Sequence, residues 1–453
     1  MVCPFDYCNT SAVYLNIDDP DTQCTLNRSG ILCGQCQAGL SLMLGSNRCQ
    51  SCSNKYLVLI AGFMLIGMAL VAFLLVCNLT VSMGSINGVL FYSNIFKLNE
   101  VVFFPDGVKM PVLSHFISWF NLDLGIEICF FHGLDGYWKT WLQYVFPIYI
   151  WLLVGAIIIG SHYSGRLSRV FGNNTVPVLA TLILMSYSKL LRTITNALMV
   201  SMIKCDKKEW SLWSVDANIA YLSHKHLYLV VGSLLFLFVS TFYGGMIFSA
   251  QWLQRCTGKY CKASRDPVVK LKPLVDSYTG PYKDKYRFWT GLLIFVRVIL
   301  TAVFSYTTQT LPGINNYIII VVCVLLIRVS ANGIYRNKAL NYLEFSHYFN
   351  LFCVSLSSEL FYHLQWNSHK IYLSSASISI SMILFIGTVL VHIHIKLEKK
   401  LGKILCFKFR SATDGNNSLL QEAGDMNNSE DEAGSPAHII QRRDSIIFDF
   451  NRQ

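Results

Sequence analysis

Apolar runs of about twenty residues recur along most of this chain, and they restrict its possible folds more than any other feature. A helix of that length crosses the hydrocarbon core of a bilayer, where only helices and closed barrels satisfy their backbone groups. Charged residues make up 14% of the chain, whereas a soluble domain carries roughly a quarter. The sequence therefore predicts an all-α polytopic membrane protein.

Nine segments predict transmembrane helices. In order they are Tyr56–Cys77, Ser85–Phe104, Tyr137–Ser161, Val176–Ile203, Leu227–Leu253, Phe288–Tyr306, Tyr317–Tyr335, Tyr348–Trp366 and Ile371–Ile395. The second segment is the weakest, because Asn87, Asn94 and Asn99 interrupt it. The stretch His115–Phe131 is too mixed to span, and it predicts an interfacial or re-entrant helix.

The basic residues outside these segments predict the orientation of the chain. If residues 1–55 lie outside the cell, the most basic segments all face the cytosol, namely Arg166–Arg169, Arg255–Arg287, Arg336–Lys338 and Lys396–Arg410. Cytosolic loops carry such an excess of Lys and Arg. We therefore expect an extracellular N-terminus, a membrane domain at 56–395 in the plasma membrane and a cytosolic tail at 396–453.

Residues 1–55 predict a small disulfide-rich module with glycosylation sequons at Asn9 and Asn27. Its seven cysteines are Cys3, Cys8, Cys24, Cys33, Cys36, Cys49 and Cys52. A segment this short buries too little apolar surface to fold without cross-links. A four-thiolate zinc site is the alternative, but the sequons and the adjoining span favour disulfides. The odd number of cysteines and the lack of a signal-peptide core predict that the chain is part of a longer protein, or comes from an incomplete gene model.

A further disulfide is predicted between Cys129 and Cys205. These are the only cysteines in the two large loops that would face the outside, which is an oxidising space. The bridge would tie the Pro105–Gly136 loop to the outer end of the fourth span. Two unpaired thiols are the alternative.

Charged residues within the spans predict buried interactions, because an ionisable group in hydrocarbon costs at least roughly 2.5–3.5 kcal/mol. Lys189 and Arg192 share one face of the fourth span, and Glu359 is the best candidate partner. The pair would fix helix packing or line a polar cavity or ion path. We interpret Arg297 as an anchor that reaches towards a span end.

The linker Arg255–Arg287 carries nine Lys and Arg residues against three Asp residues. Near its end, Lys283, Lys285 and Arg287 alternate with aromatic residues and lead to Trp289, a pattern typical of headgroup depth. The linker is either an orienting loop or a segment that binds the anionic inner leaflet and moves the following helix.

The rest of the sequence predicts neither catalysis nor a cofactor. No phosphate-binding loop, nucleophile elbow or zinc-protease motif occurs, and membrane orientation explains the basic residues without nucleic acid. The tail contains Cys406 beside the membrane, a candidate for lipidation or an unmodified thiol, and then becomes acidic and disordered.

Two parts of the sequence resemble known proteins. Cys33-Gly-Gln-Cys36-Gln-Ala-Gly39 with the later Cys49-x-x-Cys52 resembles an EGF-like or ephrin-receptor-like repeat, and this resemblance implies Cys24–Cys33 and Cys36–Cys49 pairing. Four segments resemble the multipass C-terminal region of large invertebrate surface proteins with such repeats, namely Trp119–Phe131, Lys139–Gly155, Val178–Ile194 and Leu271–Leu293. That region is similar in layout to the fungal transient receptor potential-like membrane domain.

This resemblance implies architecture more than activity. We expect a receptor- or adhesion-like surface protein with an unknown extracellular ligand, able to form a homo-oligomer. The alternative is a transient receptor potential-like ion channel subunit.

Overall fold

The computed structural model is mostly helical, with a disulfide-rich region near the N-terminus. It describes residues 7–8, 20–52, 56–84, 86–103, 114–123, 127–165, 174–205, 208–259, 273–310, 312–364 and 369–394. Asn9, Cys406 and the tail at 396–453 lie outside these residues, so their predicted roles stay predictions.

Long helices dominate the described residues. In chain order the helices are α1 (Tyr56–Cys77), α2 (Asn87–Leu98), α3 (Glu100–Phe103), α4 (Ser114–Phe120), α5 (Gly136–Tyr163), α6 (Thr175–Leu198), α7 (His224–Lys259), α8 (273–279), α9 (Trp289–Thr310), α10 (Pro312–Ser330), α11 (Lys338–His363) and α12 (His369–His394). Among them α1, α5, α6, α7, α9, α10 and α12 are long and apolar enough to cross a membrane. Each of these seven overlaps a predicted span.

The second and eighth predicted spans correspond to α2 and α11, which are not among these seven apolar helices. α2 is 12 residues long, and its side chains from Asn87 to Phe96 are all buried. α11 buries Glu344 and His347, whereas Tyr342 on the same helix is 73% exposed. Both helices therefore direct polar side chains towards the protein interior.

The hydrophobic core lies on both sides of α2. Phe91 packs edge-on against Tyr348 of α11, with ring centroids 5.3 Å apart. Val89 and Leu90 instead join the cluster that contains Ile150 of α5. α2 therefore occupies the middle of the bundle, with protein on both faces.

One end of the bundle, called the module end below, carries the N-terminal module. Its short antiparallel pairs are β1 (Arg28–Ser29) with β2 (Gln35–Cys36), and β3 (Ser41–Leu42) with β4 (Cys49–Gln50). Disulfides join Cys24 to Cys33 and Cys36 to Cys49, the two pairings that the resemblance implies. Because these thiols are bonded to one another, they do not form the alternative zinc site.

A β-hairpin follows α6 and supports the module. The fourth predicted span extends to Ile203, but the helix ends at Leu198. Strands β5 (Val200–Cys205) and β6 (Lys208–Trp213) then pair with Val200 opposite Trp213. Ile203 and Leu212 pack against Leu32 of the module. The backbone N–H of Ile31 donates to Asn218 Oδ1 at 3.1 Å, which fixes the module to the loop after the hairpin.

The predicted Cys129–Cys205 bridge is wrong, because Cys129 is bonded to Cys52 with their Cα atoms 5.7 Å apart. Residues 127–134 run beside the module instead of continuing as a helix. The N–H of Leu44 donates to the carbonyl of Ile128 at 2.9 Å, and α4 covers only the first part of the predicted His115–Phe131 helix. This backbone pairing brings Cys129 to Cys52.

The opposite end, called the linker end below, collects the end of α1, the start of α9, the α10–α11 turn and the end of α12. The His392 ring Nε2 donates to the carbonyl of Cys77 at 3.1 Å. Tyr282, just before α9, forms a β-bridge with Tyr335 in the α10–α11 turn. Part of the predicted basic linker is helical, because α7 continues to Lys259.

Candidate functional site

The polar passage Leu271–Gly291 packs into the linker end from residue 273 onward. Tyr278, Tyr282 and Trp289 are fully buried, and the Tyr278 hydroxyl donates to the carbonyl of Ala180 at 2.6 Å. The prediction that Trp289 faces lipid at headgroup depth is therefore wrong. Buried Tyr and Trp side chains need acceptors for their O–H and N–H groups, and here the protein interior supplies them.

The carboxylate of Glu344 lies at the centre of this buried region. The indole Nε1 of Trp289 donates to Glu344 Oε1 at 2.8 Å, and the Tyr348 hydroxyl donates to the same oxygen. The Tyr335 hydroxyl is also buried in this region and has no hydrogen-bond partner in the structure. Glu344 thus joins the start of α9 to α11.

Arg297 is the second buried charge of this region. Its side chain is 1% exposed, with the guanidinium carbon 5.2 Å from the ring centroid of Phe91. Its Nε and Nη1 atoms have no hydrogen-bond partner in the structure. The interpretation of Arg297 as an anchor that reaches a span end is therefore wrong. We call Tyr282, Trp289, Arg297, Tyr335, Glu344 and Tyr348 the Glu344 cluster.

Tyr282 connects the linker to the central helix. Asn87 Nδ2 of α2 donates to its hydroxyl oxygen at 2.8 Å, and Thr290 Oγ1 donates to the same oxygen at 3.0 Å. A glycine at position 84 makes room for this arrangement. A Cβ on Gly84 would lie 2.7 Å from the Tyr335 ring, and its φ of +73° strains other residues.

The basic residues next to these aromatic side chains remain at the surface. Lys283 and Lys285 are exposed. Arg287 and Arg336 instead pair with Asp284, at 2.7 Å and 3.2 Å respectively. Between Tyr282 and Trp289, which are fully buried, the chain therefore places two exposed lysines and the half-buried Tyr286.

The charges predicted to pair in the fourth and eighth spans do not meet. Lys189 Nζ donates to the carbonyl of Leu122 at 3.0 Å, and Arg192 is exposed. Glu359 accepts from Asn316 Nδ2 at 3.0 Å. The predicted pair is therefore wrong, because α11 directs Glu359 at α10 and not at α6.

One predicted glycosylation position is described. Asn27 is half-buried, and its Nδ2 donates to the carbonyl of Cys49 at 3.2 Å. The nitrogen that would carry a glycan is thus engaged inside the module.

Sequence reasoning missed Glu344 and Tyr348, because the eighth span was placed from Tyr348 onward. Glu344, His347 and Tyr348 are spaced three and four residues apart, which puts them on one helix face. Extending the helix back to Lys338 would have revealed that polar face.

Glu344 and Arg297 bring two opposite charges into the bundle, but they do not form an ion pair there.

The described residues contain no group of three or more His, Cys, Asp or Glu side chains that could hold a metal ion. Comparison of the chain with known protein families, with curated proteins and with solved structures finds no match.

Proposed function

We propose that this chain is an integral membrane surface protein with a receptor- or adhesion-like role, whose basic linker contacts the anionic inner leaflet. The observation that carries the proposal is the segment from Tyr282 to Trp289. Lys283 and Lys285 are exposed there, whereas Tyr282 and Trp289 at the two ends of the segment are fully buried, and Trp289 donates to Glu344. A change in lipid contact at the lysines would therefore be transmitted to the buried Glu344 cluster through only a few residues of the chain.

Nine membrane crossings are part of the proposal. Ile31 contacts Asn218, so an even number of crossings separates the module from the loop after the hairpin. α1, α5 and α6 supply three, and α2 with α3, roughly 25 Å long at 1.5 Å per residue, supplies a fourth. Glu359, near the end of α11, contacts Asn316 near the start of α10, so α11 runs antiparallel to α10 and crosses the membrane in the opposite direction.

The proposed orientation places the module outside the cell and the linker end in the cytosol, at the plasma membrane. Its support is the cluster of exposed basic side chains at the linker end, which are Lys283, Lys285, Arg328, Arg336 and Lys338. Disulfides at the module end agree with an oxidising exterior.

An ion channel subunit is the alternative, and one feature favours it. Side-chain atoms of Asn94, Ser355, Ser358 and Ser381 are buried on α2, α11 and α12 without hydrogen-bond partners in the structure. Polar groups inside a membrane domain often mark ion paths.

Two measurements on cells test the proposal. A tag inserted between Cys205 and Lys208 should be labelled on intact cells, and one within 260–270 only after permeabilisation. The reverse pattern would exclude the orientation. Whole-cell recording of the full chain should show no added current. A current whose ion selectivity changes in Ser358→Ala would replace the receptor-like role with the channel alternative.

A further inference from the structure

The module end contains a pocket of about 610 Å³ that opens to solvent. Three separate parts of the chain line it: the module at 34–42, the residues that lead into α5 at 133–136, and the loop before α7 with the first residues of that helix at 216–225. Its volume falls within the roughly 300–1,000 Å³ of small-molecule sites. Because three separate parts of the chain form the pocket, its shape depends on how the module packs against the other two parts.

A glycine allows the module to approach the loop closely at this pocket. A Cβ on Gly34 would lie 2.7 Å from the backbone nitrogen of Ala217 and 3.2 Å from Asp216 Oδ1. Any side chain there would push the module away from the wall that carries Asp216.

Two carboxylates line the pocket. Asp216 is 2% exposed and accepts from the N–H and the Nδ2 of Asn218, at 3.1 Å and 3.2 Å. Asp135 accepts from the N–H of Trp138 at 2.9 Å. In the part of the chain that the structure describes, neither carboxylate lies within ion-pair distance of a basic group. Burial raises the pKa of Asp216; the hydrogen bonds from Asn218 oppose this shift, and the charge of Asp135 adds to it.

The buried cation that acts on Asp216 is Arg28, and its guanidinium is already engaged within the module. Arg28 Nη1 donates to the carbonyl of Cys33 at 2.8 Å, and its guanidinium carbon lies 3.4 Å from the ring centroid of Tyr7. Arg28 opposes the pKa shift of Asp216 from a distance but does not neutralise it. The pocket therefore carries negative charge that a ligand cation would compensate.

Another part of the lining has the opposite charge. Lys225 is exposed in the first turn of α7, beside Ser223 and His224 at the start of that helix. The N-terminal end of a helix favours negative charge, and Lys225 adds a full positive charge. A ligand carboxylate would be stabilised at this position.

We propose that this pocket binds a small zwitterion of the amino-acid or short-peptide class. Its ammonium group lies between the carboxylates of Asp135 and Asp216, and its carboxylate faces Lys225 and the start of α7. Charge-assisted hydrogen bonds to both ends select against molecules that carry only one charge. The inference goes beyond the proposed function, because binding is measured on the purified chain whichever way it faces the membrane.

The test measures thermal unfolding of the full chain in lipid nanodiscs with each of the twenty L-amino acids and with glycylglycine. At least one should raise the melting temperature in a saturable way. For that ligand, the decarboxylated amine and the deaminated acid should each bind on the order of tenfold more weakly or worse, as loss of a charged hydrogen bond implies. No shift with any member, or equal binding of the acid, would overturn the proposal.

Variants locate the binding site. Asp216→Asn and Asp135→Asn keep an acceptor oxygen for the local backbone but remove the charge, so each should weaken binding on the order of tenfold. Ala220→Phe narrows the pocket without changing its charge and should also weaken binding. Glu127→Gln is the matched control, since Glu127 lies at the same end and pairs with Arg48 outside the pocket. Equal weakening in the control, or unchanged binding in both aspartate variants, would place the ligand elsewhere.

Discussion

The two ends of this bundle are held together by different means. The module itself has a small apolar cluster in the residues described, and disulfides join its parts to one another and to the 127–134 segment: Cys24–Cys33, Cys36–Cys49 and Cys52–Cys129. At the linker end, buried rings and hydrogen bonds around Glu344 join α2, α9 and α11, and no disulfide falls there in the part of the chain described. The module end relies on covalent bonds and the linker end on packing.

The difference follows from the surroundings of each end. Hydrogen bonds in contact with water contribute about 0.5–1.5 kcal/mol net, because water competes for both partners. Within the bundle the dielectric constant is lower, so a hydrogen bond is stronger and an unsatisfied polar group is more costly. Loss of one cross-link should therefore damage the module end most, and loss of one donor should damage the linker end most.

The largest expected effect is loss of the Cys52–Cys129 bridge. These residues are 77 positions apart, and removing a native disulfide costs about 2–5 kcal/mol. In Cys52→Ser/Cys129→Ser, limited proteolysis should release the module while leaving the helices protected. Cys353→Ser removes a free, half-buried thiol of α11 and is the control. Loss of protection throughout the bundle would show that the two ends do not unfold separately.

A smaller loss is expected from Trp289→Phe. The change removes the Nε1 donor to Glu344 and leaves a buried carboxylate with one donor fewer, which costs about 1–3 kcal/mol. Chemical denaturation in detergent should show this loss, with Trp138→Phe at an exposed position as the control. If Glu344 causes the loss, Trp289→Phe should cost much less in a Glu344→Gln background, and additive losses would contradict the contact.

The sequence predicts the seven apolar helices because an unbroken apolar run forms a helix in lipid whatever surrounds it. It also indicates the positions of α2 and α11, where the polar residues that weaken the pattern are the residues that face protein. The hydrogen-bond partners of these polar groups could not be predicted from the sequence. Glu359 meets Asn316 because α10 and α11 are antiparallel neighbours, which depends on the packing of the whole bundle.

The pairing of Cys129 illustrates the same limit at the module end. Seven cysteines in residues 1–55 left one without a partner in that segment, and this was a signal for a cross-link to a later loop. The sequence could not show that residues 127–134 run beside the module, because that placement depends on backbone hydrogen bonds between distant segments. Trp289 was misplaced for a related reason, since its pattern of charges and rings also suits the membrane interface.

A pH-dependent effect is expected for Asp216→Asn at the module end. Burial raises the pKa of Asp216 in the folded chain above its unfolded value. The hydrogen bonds from Asn218 and the charge of Arg28 oppose this shift, and the charge of Asp135 adds to it. The wild type therefore keeps full stability below the unfolded pKa and loses some as pH rises through the folded pKa. Each unit of pKa difference corresponds to about 1.4 kcal/mol.

The melting temperature of Asp216→Asn relative to wild type should accordingly increase as pH rises above about 4, the ordinary range of an aspartate, and level off above the folded pKa, because the asparagine does not ionise. Glu127→Gln at the same end provides the comparison. A relative melting temperature that falls over this range would mean that a neighbouring cation stabilises the Asp216 carboxylate.

The smallest effect is expected at the surface of the linker end. Anionic nanodiscs should stabilise the chain more than neutral ones do, and Lys283→Gln/Lys285→Gln should reduce this difference. The reason is that each lysine near an anionic lipid surface contributes about 1 kcal/mol before screening. The difference should shrink as salt is added, because the Debye length is about 8 Å at physiological ionic strength. Lys225→Gln changes an exposed lysine at the module end and controls for charge alone.

Because Tyr282 and Trp289 flank the lysines inside the bundle, the double variant combined with Trp289→Phe should show coupled losses. Additive losses would show that lipid contact and the Glu344 cluster are independent of each other. If anionic lipid stabilises the wild type and the double variant equally, these lysines do not contact lipid.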